Sequence, residues 1–142
     1  MATELIELSG KVNQQMPYHC VAKAQRLLND AGLSVNGARI AVLGVSYKPG
    51  VGDIRESPAL KIISLLKDLG ADVHYHDPHV PTLNQHDLHS LPLDEALADA
   101  DLTLIVTAHP GVDHDLVLQR STLVLDLRGI TRRSPIKDAV RL

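Results

Sequence analysis

An α/β fold, with a parallel sheet covered by helices on both faces, is predicted by three features of this 142-residue sequence. Apolar runs rich in β-branched residues alternate with segments of helical period. The connections between them are short. The core must also be assembled from Leu, Val, Ile and Ala, because Trp and Phe are absent. Alternation of that kind makes parallel crossovers, and strands buried on both faces read as continuous apolar runs. The expected class is therefore a three-layer, Rossmann-like parallel sheet, preceded by the end of a longer helix.

Leu5, Leu8 and Val12 recur at helical spacing with Glu4, Glu7, Lys11 and Gln14 between them. This short, weakly capped helix reads as the end of a longer element, and the domain division expected is residues 1–16 for that element and 17–142 for the domain proper. Pro17 suits the first turn of a second helix whose buried stripe is Val21, Ala24, Leu27, Leu28 and Ala31, ended by Gly32. Ile40 to Val45 is the first strand. Ser57-Pro58 then combines a hydroxyl cap with proline at the first helical position, and Ala59, Ile62, Ile63, Leu66 and Leu69 form the next stripe before Gly70.

A second strand is expected over Asp72–His76, closed by the Asp77-Pro78 turn. Pro81 to Pro92 is polar and reads as a surface loop. Leu93 to Ala100 reads as a short helix, Leu102 to Thr107 as a third strand and Leu123 to Asp126 as a fourth, with local strand order 2-1-3-4. No internal repeat or low-complexity tract is visible.

Bulk properties exclude several classes. The net charge of −3 supplies no broad basic field, so neither nucleic acid nor an anionic membrane is an expected partner. No apolar run approaches the ~20 residues that span a bilayer, and no secretory signal pattern opens the chain. The single cysteine, Cys20, rules out an internal disulfide and suits the cytoplasm.

In open parallel sheets ligands bind beyond the carboxyl ends of the strands, near the point where strand order reverses. The segment Gly44 to Pro58 leaves the first strand there and carries Lys48 and Arg55 toward a helix amino terminus, while the fourth strand brings Arg128 to the same edge. Three cations on one rim suit an anionic ligand, since phosphate oxygens take charge-assisted bonds. The blander reading is that these cations are solvated or locally paired, Arg55 with Asp53 or Glu56. The turn after the first strand has no G-x-G-x-x-G, and no G-x-x-x-x-G-K-[ST] occurs anywhere, so a dinucleotide-binding module is not expected. His74 and His76 would share one strand face and with Asp77 could bind zinc, but both strand faces should be covered by helices; no metal is expected.

The runs Gly44-Val45-Ser46-Tyr47-Lys48-Pro49, Asp53 to Leu60 and Tyr75-His76-Asp77-Pro78-His79-Val80-Pro81, with Val12 to Pro17 upstream and Asp126-Leu127-Arg128 downstream, resemble the UDP-glucose/GDP-mannose dehydrogenase family from about Leu5 to Ile130. Val12 to Pro17 looks like the segment where that family's central interdomain helix ends. The resemblance implies a UDP-sugar-binding carboxyl-terminal domain of an enzyme that oxidises C6 of a nucleotide sugar to a carboxylate in two NAD-dependent steps, in polysaccharide biosynthesis. It implies that Tyr47 and Lys48 contact the nucleotide sugar, that Arg128 holds the substrate, and that Arg55 reaches the NAD pyrophosphate. It further implies partner domains, amino-terminal and central, and a homo-oligomer at full length. The sugar stays open between glucose, N-acetylglucosamine and N-acetylmannosamine.

The family's catalytic cysteine and lysine have no counterpart here. Cys20 sits on a helix beside Val21 and Ala22, without a glycine-rich loop, and reads as a packing residue. No catalytic residue is therefore expected, and the chain alone should be inactive. Ala108 stands where the family has an acidic residue, so no role is expected for Thr107-Ala108-His109. The competing reading is a stand-alone, non-catalytic nucleotide-binding or interaction module.

Overall fold

The computed structural model describes residues 15–46, 50, 52, 54 and 57–128, together with the backbone of Val140 and Arg141. Helix α1 (Met16–Asp30) leads into strand β1 (Arg39–Leu43), helix α2 (Pro58–Asp68) and strand β2 (Asp72–His76). Two short strands follow, β3 (Thr82–Leu83) and β4 (Leu88–His89), joined by a 3-10 turn at Asn84–His86. Helix α3 (Leu93–Leu97), strand β5 (Leu102–Ile105), helix α4 (His114–Arg120), strand β6 (Val124–Asp126) and strand β7 (Val140–Arg141) complete the chain.

The main sheet has order β2-β1-β5-β6-β7, and every pairing in it is parallel. The expected four-strand order appears as β2-β1-β5-β6, and β7 extends it at the edge. The connection from β1 runs to one side and that from β2 crosses back, so strand order reverses between β1 and β5.

Successive residues of each strand face opposite layers. Ile40, Val42, Tyr75, Leu102, Leu104 and Leu125 pack under α1 and α2, whose inward residues include Ala24, Leu28, Ile62 and Leu66. Ala41, Leu43, Ile105 and Val124 meet Leu97 of α3 and Val117 and Leu118 of α4 on the other face. The sandwich is thus three layers, as the sequence predicts.

The caps are also where the residue types put them. The Ser57 hydroxyl accepts from the Ala59 amide at 3.2 Å, with proline in the first turn of α2. Beyond α1, the Leu33 amide returns to the Leu28 carbonyl at 2.8 Å, with Gly32 between them at φ +79°.

Several details differ from expectation, beginning with Ala31 and Leu69, which the helical stripes place inside but which are exposed past the ends of α1 and α2. The Pro81–Pro92 stretch is not a plain loop but carries the antiparallel β3–β4 hairpin, whose Leu83 is fully buried. Helix α4 is unanticipated because its apolar residues, Leu116, Val117 and Leu118, are consecutive rather than helically spaced. Its start was nonetheless marked by Asp113, whose carboxylate accepts from the Leu116 amide at 3.1 Å. Helix α3 stops at Leu97, and Asp99 at φ 57° turns the chain toward β5. The helix expected around Leu5 to Val12 lies outside the described residues.

Two consequences are measurable. Gly32 and Gly44 share a left-handed backbone, at φ +79° and +81°, but a Cβ at Gly32 meets open space while one at Gly44 would strike the Thr107 carbonyl. Gly32→Ala should cost about 1 kcal/mol in urea unfolding and Gly44→Ala about 3 kcal/mol or more. Equal costs would contradict the close approach of β1 and β5. Cys20 is fully buried, and burial pushes its thiol up to about 12. At pH 8 a thiol reagent should label it only as fast as the chain unfolds; rapid labelling of the native chain would contradict its packing.

Candidate functional site

At the carboxyl edge of the sheet, three segments leaving different strands meet around one buried carboxylate. Asp77, just beyond β2, is 1% exposed. Its Oδ2 accepts from the amides of Val45 and Ser46, beyond β1, at 2.8 and 3.2 Å, and from Nε2 of His109, beyond β5, at 2.8 Å. Its Oδ1 accepts from the His79 amide at 2.8 Å. A buried carboxylate needs such donors, and charge-assisted bonds from three segments tie the segments to one another.

The imidazole of His109 continues the network. Its Nδ1 accepts the Gly50 amide at 2.9 Å. A backbone N–H can only donate and a carboxylate can only accept, so the ring is held as the neutral tautomer with its hydrogen on Nε2. The His79 ring lies against it, centroids 4.7 Å apart.

The Ser46 hydroxyl oxygen is 3.0 Å from Nε2. Serine, histidine and aspartate here are not a hydrolytic relay. Carboxylate and hydroxyl address the same ring nitrogen, whereas a relay needs one on each, and Ser46 is fully buried. The Ser46 carbonyl in turn accepts from the Thr107 hydroxyl at 2.8 Å and the Ser57 hydroxyl at 3.5 Å. Buried bonds of this kind fix the start of the segment that runs from β1 to α2.

Arg128 arrives beyond β6, as expected. Its amide donates to Asp126 Oδ1 at 2.9 Å and its Nε to the Val106 carbonyl at 2.6 Å, so the exposed guanidinium is carried across the end of β5. Tyr47, Lys48 and Arg55 lie outside the described residues. Of their segment, Gly50 is bound to His109, and Gly52 approaches the His79 carbonyl so closely that a Cβ would lie 2.5 Å from that oxygen.

Thr107 and His109, for which the sequence suggests no ligand role, have a structural one. Thr107 and His109 are 1% and 2% exposed and both bond to the β1–α2 segment. The missed signal was a histidine placed directly beyond the third long strand, opposite Asp77-Pro78.

The other histidines weighed as metal ligands turn to separate partners. His74 Nε2 is 3.0 Å from Asp72 Oδ1 and 3.0 Å from Arg39 Nη1, while His76 Nδ1 donates to the Leu91 carbonyl at 2.7 Å. Among the described residues no group of three or more His, Cys, Asp or Glu gathers as a metal set.

A resident dinucleotide does not fit the first βα turn either. The amides of Val45 and Ser46, which in a glycine-rich dinucleotide turn would face a pyrophosphate, are already given to Asp77.

Comparison with known proteins identifies the family and the fold. The sequence model of the UDP-glucose/GDP-mannose dehydrogenase family, UDP binding domain, matches residues 41–133. The chain is 31% identical over 137 residues to a UDP-N-acetyl-D-mannosamine dehydrogenase of Pyrococcus horikoshii, covering 93% of this chain and 31% of that protein. It is 32% identical over 141 residues to a UDP-glucose 6-dehydrogenase of Rhizobium meliloti, covering 93% of this chain and 32% of that protein. The solved structure of the UDP-D-ManNAc dehydrogenase from Pyrococcus horikoshii superposes with a TM-score of 0.74 at 27% identity, over 97% of this chain and 33% of that one. The chain therefore spans about a third of the length of the relatives it matches.

One titration follows from the same edge of the sheet. His114 opens α4; its Nε2 is buried without a hydrogen bond, and burial lowers its pKa against the opposing pull of Asp126, Asp113 and Asp115. The unfolded chain takes up this proton near pH ~6.5 and the folded chain only at lower pH, so stability is lost as pH falls through that window. His114→Gln should flatten this part of the acid loss in urea unfolding followed against pH. An unchanged slope would contradict the burial-driven shift.

Proposed function

The chain belongs to the UDP-glucose/GDP-mannose dehydrogenase family, as a UDP-binding domain, and from that premise we propose that it holds the nucleotide diphosphate of a UDP-sugar at the carboxyl edge of its sheet. In this reading the domain completes the active site of an NAD-dependent nucleotide-sugar 6-dehydrogenase. That enzyme oxidises the C6 hydroxyl of a UDP-hexose to the carboxylate.

The observation that carries the reading is the convergence at the switch point. The segments beyond β1, β2 and β5 are locked together by Asp77, and Arg128 is carried across the end of β5 beside them. Ligands of open parallel sheets bind at such reversals of strand order. With the Val45 and Ser46 amides given to Asp77, the phosphate charge falls to side chains. Lys48 and Arg128 are the cations we assign to it, and Tyr47 the residue beside the nucleotide sugar. Guanidinium groups suit this work because their forked donors match phosphate oxygens.

Arg55 is assigned to the pyrophosphate of NAD held by another domain. Hydride transfer also belongs to the amino-terminal and central domains of the longer enzyme, assembled as a homo-oligomer. This domain contributes binding and alignment: fixed contacts remote from C6 hold that carbon in place for a reaction performed elsewhere. Alone, it is inactive. We place the enzyme in the cytoplasm, where the lone thiol of Cys20 stays reduced. No helix among the described residues is long and apolar enough to cross a membrane. The names of the relatives support UDP as the nucleotide and leave the sugar between glucose and an N-acetylated hexosamine.

An amide chemical-shift titration with UDP, GDP and NAD tests the assignment. UDP should give saturable shifts around Ser46, Gly50 and Arg128. Lys48→Ala and Arg128→Ala should each weaken UDP about tenfold or more, the scale of one lost charge-assisted contact. Arg55→Ala should leave UDP unaffected and raise the KM for NAD in the full-length enzyme. Shifts with GDP alone would move the substrate to a GDP-sugar. Unchanged UDP affinity in both the Lys48 and Arg128 variants would overturn the site.

A further inference from the structure

Resting on the proposed UDP site, we propose that His109, oriented by Asp77, is a positioning residue. Through the Gly50 amide it fixes the path of the β1–α2 segment and thereby the affinity for the nucleotide.

Beyond β1, Gly50 and Gly52 meet residues that follow the carboxyl ends of β5 and β2. The ends of the β1–α2 segment are set by buried bonds: the Ser46 amide to Asp77, the Ser46 carbonyl to Thr107, and the Ser57 cap of α2. Between Ser46 and Ser57 the described residues meet the rest of the domain at Gly50, at Gly52 and at Ile54, which packs against the main core. Gly50 donates to His109, and Gly52 rests against the His79 carbonyl. Both glycine contacts trace back to Asp77, whose Oδ2 takes the His109 hydrogen and whose Oδ1 takes the His79 amide. The carboxylate therefore supports both glycine anchors.

The chemistry required at residue 109 is narrow. The side chain must accept one hydrogen bond and donate another across about the width of an imidazole ring, inside a buried site. His109 does this as the Nε2-protonated tautomer, with Asp77 fixing which nitrogen carries the hydrogen. An apolar side chain of similar size would leave the Gly50 amide unpaired and take one donor from a buried carboxylate. Glutamine offers both an acceptor and a donor at comparable separation. Asp77 and His109 are 1% and 2% exposed, so the pair acts through the backbone it holds and not on the ligand.

Amide exchange and UDP affinity, measured on this chain and on its His109→Leu and His109→Gln variants, test the inference. In the native chain the Gly50 amide should be protected, and the His109 ring should show Nδ1 unprotonated and Nε2 protonated in its long-range proton–nitrogen spectrum. His109→Leu should speed Gly50 exchange and weaken UDP, each about tenfold, the scale of one buried hydrogen bond lost. The amides of β1 should stay protected, showing that the sheet is intact. His109→Gln should recover most of both effects, which a purely space-filling role would not produce.

If His109→Leu fails to fold, the native ring spectrum and the glutamine variant decide. A proton on Nδ1, or an unprotected Gly50 amide in the native chain, would overturn the inference. So would UDP affinity unchanged by His109→Leu while Arg128→Ala weakens it, with the UDP site itself left standing. UDP affinity indifferent to Lys48→Ala, Arg128→Ala and His109→Leu alike would overturn both the site and this inference.

Discussion

The carboxylate of Asp77 is the interaction on which the carboxyl edge of this sheet depends. One buried side chain receives donors from residues 45, 46, 79 and 109, drawn from the exits of β2, β1 and β5. A parallel sheet by itself fixes where its strands end but not how the connections leave them. Here the connections are fixed by a charge that cannot stay buried without partners. The Ser90 hydroxyl accepts the Asp77 amide at 2.9 Å, and the Tyr75 hydroxyl donates to the Val80 carbonyl at 2.8 Å, so the Asp77–Val80 turn is itself held from below. Burial and the neighbouring Asp77 charge push the Tyr75 phenol up to about 12, which keeps it a donor throughout the ordinary pH range.

That arrangement has a chemical consequence. In a dinucleotide-binding turn the first amides after β1 are left open for phosphate. Here an internal carboxylate occupies them, at 2.8 and 3.2 Å. The same layer order thus supports a different division of labour, in which the first amides after β1 stabilise the protein. Side-chain recognition demands a precisely set backbone, because long cations lose rotamer freedom on binding. In the proposed site, a network that anchors Gly50 and approaches Gly52 would serve that need.

Much of the fold was legible in the sequence because the signals were local. Ser57-Pro58 announced α2, Gly32 the end of α1, and the β-branched run from Ile40 announced a strand covered on both faces. Arg128 could be placed at the correct edge once the strands were ordered. What escaped were features whose signal is not local. Strand β7 has two residues and therefore no periodicity, and α4 hides its helical face in three consecutive apolar residues. The β3–β4 hairpin is polar apart from the buried Leu83 and the partly buried Leu88. The largest omission was the Asp77–His109 pair, separated by 32 residues and joined only by the sheet order. Read along the chain, Asp77 is a turn residue before proline and His109 stands after an alanine where an acidic residue was expected. Only the parallel register of β2, β1 and β5 makes them neighbours.

A structure of the chain with UDP bound tests the central claim most directly. The account predicts the diphosphate at the carboxyl edge, between the β1–α2 segment and Arg128, with the four bonds to Asp77 and the Gly50–His109 bond intact. UDP at the opposite edge, in the depression beside Arg26, Asn29, Ser34 and Asn36, would contradict it. A diphosphate bound by the Val45 and Ser46 amides in place of Asp77 would contradict it equally.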